Sequence, residues 1–144
     1  MREPDRICLK SSGHLQGIHP VRTAPYPGFP TDAQAILMAA LAGGKGNTLF
    51  VENMFDSRYH HVDELRRMGA EIQVFGRVAV VVGAGKLHGA SVKSADLRGG
   101  AALVVAGLGA EGTTLVTNLH HIHRGYEGLD CCLKQLGAEI RLCP

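Results

Sequence analysis

The 144-residue sequence predicts a mixed α/β (α+β) fold made of repeated β-α-β-α-β-β units, with the helices buried and the sheets outside. Three observations point there. Two stretches of helical length, "AQAILMAALAG" and "LRGGAALVVAGLGA", consist of small apolar residues with almost no polar face, which suits an interior position. Each is followed by a β-branched strand, a polar loop holding an arginine, an amphipathic helix and a further strand. The whole order occurs twice, aligning Asp32 with Asp96, Asn53 with Asn118, Arg58 with Arg124 and Gly69 with Gly137. A repeat of about 65 residues is the length of a supersecondary unit, so residues 1–144 read as one domain with internal repeats at about 22–86 and 87–144.

The elements follow in order. "APYPGFPTDAQ" carries three of the six prolines, so the segment is expected to enter a helix at Thr31 or Asp32 along one stiff, predetermined path. An acid in the first helical turn is favoured by the dipole and the free N–H groups, so Asp32 reads either as a capping acid or as a functional carboxylate. The strand "NTLFVEN", the helix "HVDELRRMG" and the strands "AEIQVFG" and "RVAVVVG", joined by a tight turn at "FGR", complete the first unit. "VGAGKLHG" lacks the spacing of a phosphate-binding loop and reads as a hairpin turn, after which "HGASVKS" leads into the next helix. In the second unit "TTLVTN" is a strand, "GLDCCLKQLG" a helix and "AEIRLC" a strand, and Gly69 and Gly137 stand where a glycine closes a helix.

Composition narrows the function classes. A balance of 15 basic and 13 acidic side chains is too even to argue for nucleic acid. "MREPDRICLK" has no apolar leader core and the apolar runs are short and broken by glycine, which excludes a signal peptide or membrane span and predicts a cytosolic chain. Cys8, Cys131, Cys132 and Cys143 form no C-x-x-C pair and read as free thiols with packing roles.

The repeat gathers charge at one end of the fold. Matched helix-start acids and loop arginines predict a single rim carrying Asp32, Arg58, Asp96, Arg98 and Arg124, readable as solvated charges and caps or as a site for a phosphorylated or carboxylated ligand. His121 and His123 of "HHIHR" share a face if extended, but two ligands without an acid or thiol at metal spacing make a poor metal site, and no cofactor is called for. His60 and His61 either touch a ligand or serve as solvated or capping residues.

The blocks "TAPYPGFPTDAQA", "FDSRYHHVDELRRMGAEI", "SADLRGGAALVVAGL" and "EGTTLVTNLHHIHRGYEGLDCCLKQLGAEI" resemble, in order and spacing from about Arg22 onward, the C-terminal part of the UDP-N-acetylglucosamine 1-carboxyvinyltransferases. "PYPGFPTD" and "RGYE" set this family apart from its sister acting on shikimate 3-phosphate. The resemblance implies an inside-out barrel of the enolpyruvyl transferase type, and a reaction in which the 3′-hydroxyl of UDP-N-acetylglucosamine adds to C2 of phosphoenolpyruvate with later loss of phosphate. That reaction opens peptidoglycan synthesis.

By the same resemblance Asp32 is the base on the sugar hydroxyl, and Met54 and Phe55 line the nucleotide side of the cleft. Arg58 is a cleft arginine, Asp96 and Arg98 are the family's "DLR" pair, and Arg124 contacts phosphoenolpyruvate. The family's other half supplies a mobile loop with a cysteine or aspartate, a lysine and further arginines, none of which has a counterpart here; "DSRY" and "LRGG" also depart from commoner spellings. The chain therefore reads as about two of the three units of one domain. Three functions follow from this: a piece of the transferase that needs the missing N-terminal half as partner, a non-catalytic remnant that binds a nucleotide sugar or nothing, or a fragment of another enolpyruvyl transferase.

Overall fold

Residues 8–143, apart from 12 and 14, are described by a computed structural model of the chain. The stretch Met1–Ile7 lies outside the described residues. In chain order the elements are β1 (Val21–Arg22), α1 (Thr31–Ala42), β2 (Lys45–Val51), α2 (Val62–Arg67), β3 (Glu71–Phe75), β4 (Val78–Ala84), β5 (Ser91–Lys93), α3 (Leu97–Gly109), β6 (Leu115–Thr117), α4 (His120–His123) and α5 (Leu129–Gln135). Among these, no helix is long and apolar enough to cross a membrane.

Four strands form one sheet in the order β1-β2-β4-β3, with β1 parallel to β2 and the other pairs antiparallel. The period of two decides what each strand buries: Thr48 and Phe50 of β2, Ile72 of β3, and Ala79 and Val81 of β4 point inward. β3 and β4 pair from Phe75↔Val78 onward across the two-residue turn at Gly76, as the "FGR" pattern predicts. β5 and β6 make a separate two-stranded parallel sheet.

The small-residue helices α1 and α3 pack on each other, and only Asp32 in α1 and the last turn of α3 are exposed. Met38, Ala39 and Ala42 of α1 share the core with Ala102, Leu103 and Ala106 of α3. Alanine and glycine permit this close approach, and Met38, Leu103 and Phe50, all fully buried, each contribute roughly 1.5–3 kcal/mol relative to exposure. Gly100 of α3 meets other neighbours closely, because a Cβ there would lie 2.2 Å from Ser94 Oγ and 2.7 Å from Ile122 Cγ1. Gly69 ends α2 at φ +86°, a backbone that costs glycine nothing.

Four sequence expectations are corrected. "AEIRLC" forms no strand, since residues 138–143 find no ladder partner among the described residues. "VGAGKLHG" is a crossover and not a hairpin turn: β4 and β5 lie in different sheets, Leu87 is buried, and His88 N donates to Met68 O at 2.9 Å. "HHIHR" is helical in α4, so His121 and His123 do not share an extended face. All four cysteines are exposed and α5 buries no residue, so Cys131 and Cys132 do not pack in a core.

Gly100→Ala is expected to destabilise the chain by about 1–3 kcal/mol, because buried Ser94 and Ile122 must move. Gly109→Ala, with open space around its Cβ, is expected to stabilise by up to about 1 kcal/mol. Urea denaturation midpoints of the two variants check both signs.

Candidate functional site

The proline segment folds back on itself before it enters α1. Ala24 N donates to Phe29 O at 3.0 Å and Gly28 N to Pro25 O at 2.8 Å, and Pro30 sits extended at the head of the helix. A residue that sequence reasoning passed over then fixes the direction of entry. Glu52, at the end of β2, is fully buried, and its carboxylate accepts from Thr23 Oγ1 at 2.9 Å, Thr31 Oγ1 at 2.9 Å, Met54 N at 2.8 Å and Phe55 N at 3.2 Å. Four donors satisfy a charge that would otherwise be costly to bury. The only sequence signal was an acid closing an apolar strand, in "FVEN".

Asp32 follows Thr31 as the second residue of α1, and its side chain caps nothing. Its Oδ1 accepts from Arg58 Nη2 at 2.7 Å and its Oδ2 from Arg98 Nη2 at 2.9 Å. The hydrogen bond from Arg98 holds the Asp32 carboxyl below the usual carboxylate range; partial burial opposes this and the charge of Arg58 adds to it. Arg98 is raised in turn, first by Asp32 and then by Tyr126. Asp96 behaves differently from its repeat partner: it is the N-cap of α3 and accepts from Gly99 N at 2.7 Å. The capping reading therefore fits Asp96 and not Asp32.

Asp32, Arg58, Asp96, Leu97, Arg98 and Arg124 line one cavity of about 190 Å³. The rim predicted from the sequence is thus a single place, with three guanidinium groups and two carboxylates around a space below the roughly 300–1,000 Å³ of drug-sized ligand sites. It suits one small anion. Arg124 is exposed and has no ion-pair partner among the described residues. Met54 and Phe55 lie beside the cavity without lining it; both are exposed, and the Phe55 ring stacks on Arg58 with the guanidinium carbon 4.8 Å from its centroid.

His61 is buried at 2% exposure behind this rim, against Gly99 of α3, and its Nε2 has no hydrogen-bond partner. It is neither solvated nor a side-chain cap, which removes two of the sequence readings for it, while His60 is exposed. Burial pushes the His61 imidazole down to about 4, against the charge of Asp96 and assisted by Arg58 and His60. Tyr59 is pushed up to about 12 by burial and by the Glu52 charge. Among the described residues no three histidine, cysteine or acidic side chains converge as a metal site.

Residues 2–131 match the family model of EPSP synthase (3-phosphoshikimate 1-carboxyvinyltransferase). The UDP-N-acetylglucosamine 1-carboxyvinyltransferase of Desulfofundulus thermocisternus is 51% identical over 142 residues, covering 99% of this chain and 58% of its own length. UDP-N-acetylglucosamine 1-carboxyvinyltransferase 2 of Caldanaerobacter subterraneus subsp. tengcongensis is 48% identical over 136 residues, covering 94% of this chain and 33% of its own length. The chain thus spans only part of the curated relatives it matches. Among solved structures, the enolpyruvyl transferase NikO from Streptomyces tendae superposes with a TM-score of 0.75 at 32% identity, over 89% of this chain and 29% of that one. An EPSP synthase from Acinetobacter baumannii reaches a TM-score of 0.52 at 27% identity, over 60% of this chain and 21% of that one.

The buried imidazole generates a pH dependence. Its folded-state value of about 4 lies below its ordinary 6.5, so the unfolded chain takes up a proton first as pH falls, and stability present above 6.5 is lost progressively down to about 4. The full loss is on the order of 3 kcal/mol. Denaturant midpoints between pH 7.5 and 4.5 are expected to fall, and to fall less steeply in His61→Phe; an unchanged slope in that variant would assign the pH dependence elsewhere.

Proposed function

The chain belongs to the EPSP synthase (3-phosphoshikimate 1-carboxyvinyltransferase) family, and from that premise we propose that it is the C-terminal portion of a cytosolic transferase. The transferase moves the enolpyruvyl group of phosphoenolpyruvate to the 3′-hydroxyl of UDP-N-acetylglucosamine. The observation that carries the reading is the Asp32 carboxylate held between Arg58 and Arg98 on a cavity that Arg124 also lines. The choice of acceptor is supported by identities of 46% to 51% to UDP-N-acetylglucosamine enzymes over nearly the whole chain, against 27% over part of it for the EPSP synthase. As further parts of the proposal, residues 22–86 and 87–144 are two repeats in a partial domain, the first with the full β-α-β-α-β-β order and the second sharing its opening β-α-β, and the domain is an inside-out barrel. The pairing of α1 with α3 in the core supports both.

In this reading Asp32 accepts the hydroxyl proton as the sugar oxygen bonds to C2 of phosphoenolpyruvate, while the C2=C3 π pair takes a proton at C3 from an acid that the remainder of the transferase supplies. Loss of a C3 proton then re-forms the double bond as phosphate leaves with the C2–O electron pair, giving the enol ether. A carboxylate with both oxygens held by guanidinium groups is a weak base. The phosphate and carboxylate of the incoming substrate compete for Arg58 and Arg98, and each hydrogen bond they draw away from Asp32 raises its basicity. Arg124, with Arg58 and Arg98, neutralises the substrate anions while charge moves. Asp96 holds the N-terminus of α3 and keeps Arg98 facing the cavity. By the family resemblance Met54 and Phe55, exposed beside a cavity of about 190 Å³ that suits the small reactant, border the nucleotide side. The remainder of the transferase supplies the rest of the nucleotide-sugar site.

The chain alone is expected to release no phosphate above a blank from phosphoenolpyruvate and UDP-N-acetylglucosamine. With the rest of the transferase restored by fusion or co-expression, Asp32→Asn is expected to lower kcat by roughly 10² or more, in line with the range for a positioned base. Its melting temperature should move little, since Asp32 caps nothing and its ion pairs with Arg58 and Arg98 are on a half-exposed side chain. Arg124→Ala is expected to raise KM for phosphoenolpyruvate as well as lower kcat. Near-normal turnover in Asp32→Asn would remove it from the role of base, and phosphate release by the isolated chain would overturn the need for a partner half.

A further inference from the structure

Arg98 is gripped at both ends of its guanidinium. One nitrogen, Nη2, donates to Asp32 Oδ2 at 2.9 Å, while the other, Nη1, donates to Tyr126 Oη at 2.8 Å. The guanidinium carbon also lies 5.5 Å from the centroid of the Tyr126 ring. Arg58, the other arginine on Asp32, rests on the Phe55 ring, and among the described residues its only side-chain hydrogen bond is the one to Asp32. The two arms of the clamp therefore differ: one is stacked, the other is stacked and anchored.

The anchor is itself fixed to the element that carries Arg98. Tyr126 follows α4, where its backbone N donates to Ile122 O at 3.0 Å, and Ile122 is buried against the Gly100 stretch of α3. Gly125, one residue earlier, leaves room for Leu97, whose Cδ2 would lie 2.7 Å from a Cβ there. Leu97 and Arg98 are consecutive at the start of α3. The loop holding the phenol and the turn holding the guanidinium are thus packed together, and the hydroxyl meets the fork at a set distance. A planar fork fixed at one nitrogen has its other nitrogen fixed in direction, which a flexible single-point contact would not achieve.

We propose that Tyr126 is a positioning residue that holds the Arg98 guanidinium against Asp32, and that its hydroxyl, more than its ring, does so. Its weight in catalysis rests on the reading of Asp32 as the base; the anchoring itself does not. Since the hydrogen bond from Arg98 is the largest influence favouring the Asp32 anion, loosening the fork has a direct signature at Asp32. The charged groups facing Asp32 around the cavity are Arg58, Arg98, Arg124 and Asp96, with His61 buried behind them. Tyr126→Phe leaves all of these in place.

The test is a carbon-detected NMR titration of the Asp32 carboxylate in the 144-residue chain, as wild type, Tyr126→Phe, Arg98→Ala and the double variant. Amide spectra of the same samples report folding. The Asp32 midpoint is expected to rise in Tyr126→Phe, to rise further in Arg98→Ala, and to rise no more in the double variant than in Arg98→Ala, because the phenol acts only through Arg98. A wild-type midpoint in Tyr126→Phe, or an effect that adds in full to that of Arg98→Ala, overturns the proposal. In the completed transferase the acid limb of the pH–kcat/KM profile is expected to move with the midpoint. If the midpoint moves and the limb does not, the anchoring stands and the role of Asp32 as base fails.

Discussion

One buried carboxylate orders the rim. Glu52 lies at the end of β2 with no solvent to stabilise it, and its four donors come from three segments: Thr23 after β1, Thr31 at the start of α1, and Met54 and Phe55 in the loop that leads to Arg58. A charge in such a place is tolerated only when its hydrogen bonds are made, so the three segments must meet there. Asp32 is the residue after Thr31, and Arg58 lies three residues beyond Phe55. The ion pair between them is therefore set by a group that touches neither. The stiffness of the proline segment serves the same end, because it lets Thr23 and Thr31 reach one acid from opposite ends of a short fold-back.

The second arginine arrives by another route, through the close packing of α1 on α3. Here the two aspartates that the repeat aligns part company. Asp96 precedes its helix and caps it, whereas Asp32 falls on the second residue of its own helix, the place that Arg98 holds on α3. The helices thus present an acid and a base at equivalent positions, and side by side these two become partners.

What the sequence made legible was local. The small-residue helices, the tight β3–β4 turn and the closing glycines at Gly69 and Gly137 each depend on a few neighbouring residues, and all are present. The charges of the rim were legible because they fall at matching positions when the two halves of the sequence are aligned. Glu52 and His61 were not, since burial of a polar side chain is decided by segments far away in sequence: Thr23 and Thr31 for one, Gly99 for the other. Tyr126 was hidden for the same reason, its partner Arg98 being 28 residues distant. "AEIRLC" has the composition of a strand, but a strand exists only where a neighbour accepts its hydrogen bonds, and composition carries no information about that. The exposed cysteines make the parallel point for helices, because α5 has the right periodicity and yet buries none of its residues among those described.

That last helix bears on how the molecule comes apart. α1, α3 and the four-stranded sheet share one set of buried side chains and must melt together. α5 shares none of them; a helix of seven residues held by its own backbone bonds is marginal in water. Its amides should exchange with solvent at rates governed by local fraying and not by global unfolding. Cooperativity in this chain is accordingly a property of its interior, and a single unfolding transition describes the core while leaving the final helix uncounted.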